Sequence, residues 1–179
     1  MTKIIKSICL LLLGAILLAV PLSSAAAVKV DIGLKEGIKP LAPEITQYIK
    51  KIARASDDSK EPSVYVSSVI RGDIDGDNQK DIFVSFAVEG IGGGNFSMLF
   101  QALFIKKTDK FILAAERSNG STGTASGSSF IPSSIRPGKV LGETLEYAEE
   151  DGACCPSIKR KTTLLFTNGK LVEEKVKKL

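Results

Sequence analysis

Gly72-Asp73-Ile74-Asp75-Gly76-Asp77-Asn78-Gln79-Lys80-Asp81 runs straight into Ile82-Phe83-Val84-Ser85-Phe86-Ala87-Val88. Asp73, Asp75, Asp77 and Asp81 stand at the first, third, fifth and ninth places of a loop. That spacing brings short carboxylates onto one side of a tight turn, with the main-chain carbonyl of Gln79 at the seventh place, and hard oxygen donors of this kind select Ca²⁺. Gly76 and Asn78 are the residue types best able to take the positive φ that such winding demands. Crowded carboxylates repel at about 1 kcal/mol per close pair even in a water-like dielectric, and a cation relieves this. The alternative is an Asx-rich turn held by side-chain to backbone hydrogen bonds. In both readings the loop is a structural staple for the strand it feeds.

That strand, Ile82 to Val88, is apolar at nearly every position, the signature of a strand covered on both faces and central in its sheet. Working outward, Val64 to Ile70 is rich in β-branched residues and reads as its neighbour. Phe96 to Ile105 and Phe111 to Ala115 read as two strands around a Lys-Thr-Asp-Lys turn, with further strands expected at 128–135 and 140–147. Asn168-Gly169 between Thr162–Thr167 and Lys170–Val176 is a strong hairpin signal. Ser118 to Ser129 is low-complexity Ser, Gly and Thr, expected as a flexible surface loop. Upstream, Val28 to Gly37 alternates as a short strand. A helix follows from Pro43, with Leu41, Ile45, Tyr48, Ile49 and Ile52 on one face and Lys50, Lys51 and Arg54 opposite. The fold expected is α+β: a mainly antiparallel sheet of roughly six to eight strands with one N-terminal amphipathic helix packed on it. No internal repeat is visible, which argues against a propeller or solenoid.

Residues 1–27 read as a secretory signal peptide: Lys3 and Lys6, an apolar run to Val20, then the small-residue tract ending at Ala27. The apolar run is shorter than the ~20 residues a membrane span needs. Residues 28–179 then form a single domain, exported to the periplasm or secreted. Losing Lys3 and Lys6 takes the 24 basic residues to 22 against 20 acidic ones, so the basic charge of the whole chain says little about partners. The chain has no histidine and no tryptophan, and so lacks the usual general base and the commonest transition-metal ligand.

With Cys9 in the leader, Cys154 and Cys155 are the remaining thiols, in Asp151-Gly152-Ala153-Cys154-Cys155-Pro156-Ser157. Adjacent Cα atoms sit ~3.8 Å apart, below the usual disulfide range of ~4.4–6.8 Å, so a vicinal bridge would lock a strained turn. Two buried reduced thiols, intermolecular pairing and thiol–disulfide chemistry are the other readings. Two thiolates without histidine make a poor zinc site.

Other signals carry little. Gly90-Ile91-Gly92-Gly93-Gly94-Asn95 does not match a dinucleotide-binding fingerprint and no helical pattern follows it. Asn95-Phe96-Ser97 and Asn119-Gly120-Ser121 are glycosylation sequons on paper. Lys159-Arg160-Lys161 is too short a basic run to argue nucleic acid. A hydrolytic carboxylate pair drawn from Asp73 to Asp81, Glu89 and Glu146 is conceivable, but no spacing demands it.

The loop departs from an EF-hand: the twelfth place is Val84 in place of a bidentate glutamate, and a strand follows it. It resembles instead the Asp-rich loops of FG-GAP repeats and dockerins. Taken with Glu89-Gly90-Ile91-Gly92-Gly93-Gly94-Asn95 and Cys154-Cys155-Pro156-Ser157, it is similar to a group of small secreted bacterial proteins of unassigned function. The Cys-Cys-Pro-Ser stretch also resembles LppP/LprE-type lipoproteins, although no lipobox is present here. The resemblance implies an exported bacterial domain and brings no catalytic residues.

The function expected is a non-enzymatic envelope protein, a monomeric binding or structural module with Ca²⁺ held by Asp73, Asp75, Asp77, Gln79 and Asp81. Its partner would be an unidentified envelope or extracellular one, with no nucleic acid and no membrane span after cleavage. A carboxylate-dependent envelope hydrolase and a redox sensor at Cys154 and Cys155 are the alternatives.

Overall fold

Burial along the strand Asp81–Glu89 is continuous from Asp81 to Val88, and the side chains on its two faces enter two different cores. In the computed structural model, which describes residues 29–56, 62–91, 97–122, 128–152 and 155–174, this strand is β3. Its partners in the first sheet are β1 (Asp31–Leu34), β2 (Ser63–Gly72), β4 (Ser97–Lys107) and β5 (Lys110–Thr122), in the order β1-β2-β3-β4-β5. A second sheet holds β6 (Ser129–Arg136), β7 (Lys139–Glu146), β8 (Ile158–Thr167) and β9 (Lys170–Glu173), also in sequence order. Every pairing is antiparallel except β1 with β2, which runs parallel across the helix α1 (Pro43–Ser56).

The helix follows its sequence closely. Pro43 opens it, Glu44 lies in the first turn and Arg54 in the last, each matching the helix dipole. Ile45, Ile49 and Ala53, four residues apart, are fully buried. They pack on Val64, Val66, Ile82, Val84, Phe86, Val88, Ala102 and Phe104 of the first sheet. Tyr48 adds edge contacts to Phe86 and Phe104, at ring separations of 6.2 and 5.4 Å.

On the opposite face, Phe83, Leu103 and Ala115 meet Phe130, Ile135, Val140 and Leu164 of the second sheet. Phe83 and Phe130 pack edge to face at 6.3 Å. The expected α+β class is therefore corrected: nine strands in two face-packed sheets, with one 14-residue helix among the described residues, make a mainly β fold. The physical reason lies in what covers the second face of β3. Two-sided burial was legible in its apolar run, but a run of that kind does not reveal whether a helix or another sheet supplies the cover, and here one face takes each.

The sheets approach one another where β2 meets β6 and where β5 meets β9. At the first of these the Gly138 N–H donates to Ile74 O at 2.7 Å, tying the acidic loop to the β6–β7 turn. Gly142 has no side chain for a steric reason: a Cβ there would overlap Ile131 O and the Phe130 ring. Four of the five buried polar residues, Ser85, Gln101, Thr144 and Thr162, lie between the sheets. The Gln101 amide bridges them, its Nε2 donating to Phe130 O at 2.7 Å and to Ser85 Oγ at 3.2 Å.

Strand lengths depart from the sequence reading in one informative place. The Ser/Gly/Thr tract expected as a loop from 118 begins as the end of β5, which pairs with β4 as far as Thr122, and residues 123–127 lie outside the described residues. The backbone of β4 supplies a template that composition alone does not show. The signal-peptide segment, the glycine-rich turn at 92–96 and Cys154 also lie outside the described residues.

Candidate functional site

The acidic loop leaves the end of β2 and returns at the start of β3, and its inner residue Ile74 is an apolar plug in the inter-sheet core, 2% exposed. Asp73 organises the turn by accepting the Gly76 N–H on Oδ1 at 2.7 Å and the Asn78 N–H on Oδ2 at 2.8 Å. Gly76 and Asn78 take φ of 82° and 64°, the left-handed conformations their residue types tolerate.

Asp81 is different in kind. It is fully buried, with Oδ2 accepting the Ile74 N–H at 2.7 Å and Oδ1 the Lys106 N–H at 2.8 Å. One carboxylate thus joins the loop, the start of β3 and the end of β4. Burial pushes its carboxyl above the usual range; the two N–H bonds oppose this, and the charges of Asp75 and Asp77 add to it. Burial thus disfavours the ionised form of this group.

Of the four carboxylates expected to bind a cation, the structure brings three together: oxygens of Asp73, Asp75 and Asp81 lie within 4.8 Å of one another. Asp77 turns aside to accept the Gln79 N–H at 2.9 Å, and the Gln79 side-chain amide also donates to it, at 3.2 Å. The hydrogen bond from the Gln79 N–H, then that from Lys107, holds the Asp77 carboxyl below its ordinary range. Lys107 was not among the expected residues. Its ammonium donates to Asp75 at 2.7 Å and to Asp77 at 3.1 Å, and those bonds raise its own pKa. The available signal was its place at the end of the strand that Asp81 caps, which becomes visible only once β3 and β4 are paired.

Cys155 is disulfide-bonded, and its partner lies outside the described residues. The segment around it is organised by Asp151, whose Oδ2 accepts the Ala148 and Ser157 N–H groups at 2.7 Å each. Those two bonds hold the Asp151 carboxyl low. Of the imagined hydrolytic carboxylates, Glu146 is engaged by Arg160 at 2.6 Å. No protein-family model matches the chain, and neither a curated protein nor a solved structure does. The class defined by the fold and the loop is a two-sheet β module with an acidic turn at the junction of its sheets.

Proposed function

We propose that the chain is a non-enzymatic binding module, exported from the cytoplasm, whose Asp73–Asp81 loop takes Ca²⁺ as a structural staple. The observation that carries the cation reading is Asp81: a buried carboxylate within 4.8 Å of oxygens from Asp73 and Asp75. A divalent ion held by these three would offset the burial cost of Asp81 and fix how β3 enters the first sheet. Lys107 is its internal competitor, because it already neutralises Asp75 and Asp77.

Added Ca²⁺ at about a hundred times its dissociation constant is expected to raise the Tm of the chelator-treated protein by roughly 5–10 °C. Lys107→Met is expected to tighten Ca²⁺ binding severalfold in isothermal titration. No heat and no Tm change with millimolar Ca²⁺ would remove the metal from this reading.

The export half of the proposal is supported by the leader-like first 27 residues and by the disulfide at Cys155, a bond that persists in oxidising compartments. N-terminal sequencing of protein recovered outside the cytoplasm should begin close to Val28, and the unreduced intact mass should lie two daltons below that of the reduced form without dimer; an uncut N-terminus counts against export. Among the described residues no helix is long and apolar enough to cross a membrane.

A further inference from the structure

The second sheet has an unequal edge. β8 pairs with β7 all the way from Leu165 to Ile158, whereas among the described residues β9 pairs with Leu164 to Thr167 and the last bond is from the Glu174 N–H to Thr163 O at 2.9 Å. Hydrogen-bonding direction alternates along a strand, so that bond points the main-chain groups of Lys161 and Lys159 toward the same open side. Among the described residues nothing pairs with them there. An uncovered edge is a template for strand addition.

The charges on that edge select what can add. Lys159 and Lys161 are exposed and meet no carboxylate within 4 Å among the described residues, while Arg160, on the inner face, is held by Glu146 and Glu173 at 2.6 Å each. A second copy adding antiparallel through this stretch would set Lys159 opposite Lys161, an unfavourable pairing. The sequence after Glu174, Lys175-Val176-Lys177-Lys178-Leu179, would in the β9 register set Lys178 opposite Lys159. Like charge disfavours both occupants. A groove of about 480 Å³ opens on the same outer face, with Lys161, Thr163 and Glu174 on its near side and Ile131, Leu141 and Glu143, the cross-strand neighbour of Lys161, on its far side.

We infer that the open half of β8, from Ile158 to Thr162, is a docking edge for an extended acidic peptide segment of a partner protein. Alternate acidic side chains of the segment face Lys159 and Lys161, its backbone takes the N–H and C=O groups that no described residue pairs, and a flanking apolar side chain enters the groove. The inference rests on the binding-module reading and is independent of calcium.

The test uses the full mature chain and a fluorescein-labelled peptide, Glu-Val-Glu-Val-Glu, in fluorescence polarisation. Saturable binding that weakens with salt is expected. The pair Lys159→Glu and Lys161→Glu should weaken it by about tenfold or more and confer binding of Lys-Val-Lys-Val-Lys instead. The same acidic peptide, N-methylated at alternate residues so that its edge-facing amides are blocked, should lose binding to the unaltered protein. Absence of saturable binding overturns the inference, as does undiminished binding of the N-methylated peptide, which would mean charge attraction without strand addition. Should the double variant fail to fold, Lys161→Gln and the N-methylated peptide decide the matter. Failure here leaves the calcium response intact, and failure of the calcium response leaves this binding intact.

Discussion

Asp81→Ala is expected to lower the stability of the calcium-free protein by about 2–5 kcal/mol, because it strips the Ile74 and Lys106 N–H groups of their acceptor at about 1–3 kcal/mol each. Both bonds are short, 2.7 and 2.8 Å, and the first is fully buried. Urea denaturation of the variant beside the unaltered protein measures the difference. The loss is partly offset, since the variant no longer buries a charge. Asp81→Asn separates the two contributions, because it keeps one oxygen acceptor and removes the charge. The pH dependence carries the sign. The folded-state pKa of Asp81 is raised, so its contribution is fully present below the unfolded carboxylate value and is lost as pH rises through the folded one. Asp77 and Asp151, held low, act in the opposite sense, their stabilisation fading as pH falls. The advantage of the unaltered protein over Asp81→Asn should therefore shrink as pH rises from about 4 toward neutrality. Saturating Ca²⁺ should restore it, and an advantage that grows with pH in chelator would contradict the account.

Phe83→Ala is the second large effect, about 3–5 kcal/mol from the lost transfer energy and the cavity left behind. Phe83 is fully buried and reaches across to Phe130, so the damage falls on the seam between the sheets. Phe86→Ala, three residues on and on the opposite face, removes a stacked contact with Phe100 at 5.4 Å and an edge contact with Tyr48 on the helix. The two variants should be similar in global stability and different in where they loosen. Hydrogen exchange should quicken through β6 to β9 in Phe83→Ala and through α1 in Phe86→Ala. Identical exchange maps would mean that the helix and the second sheet do not open separately.

Much of this architecture can be read locally. The helix from Pro43, the covered strand after Asp81 and the hairpin at Asn168-Gly169 each carry their own signal in residue type and period, and the loop announces its positive-φ positions in Gly76 and Asn78. What stayed hidden is what depends on distant pairing. Assignment of the strands to two sheets follows from contacts such as Phe83 with Phe130 and Gln101 with Phe130 O, between residues far apart in the chain. The same holds for the site. Spacing grouped Asp73, Asp75 and Asp81, but it was silent about Lys107, whose ammonium reaches Asp75 and Asp77 from another strand. The parallel pairing of β1 with β2 was equally invisible, since alternation in Val30, Ile32 and their neighbours is silent about direction.

Each sheet is a contiguous block of chain, β1 to β5 and then β6 to β9. That has a consequence in time. As the polypeptide emerges, the first sheet and its helix can assemble while the rest is still being made, leaving Phe83, Leu103 and Ile105 on a bare apolar surface. Their cover arrives only when the residues up to Leu171 have followed. For that interval the half-finished molecule is its own aggregation hazard, and it must either be shielded by a chaperone or kept unfolded until the whole chain is present.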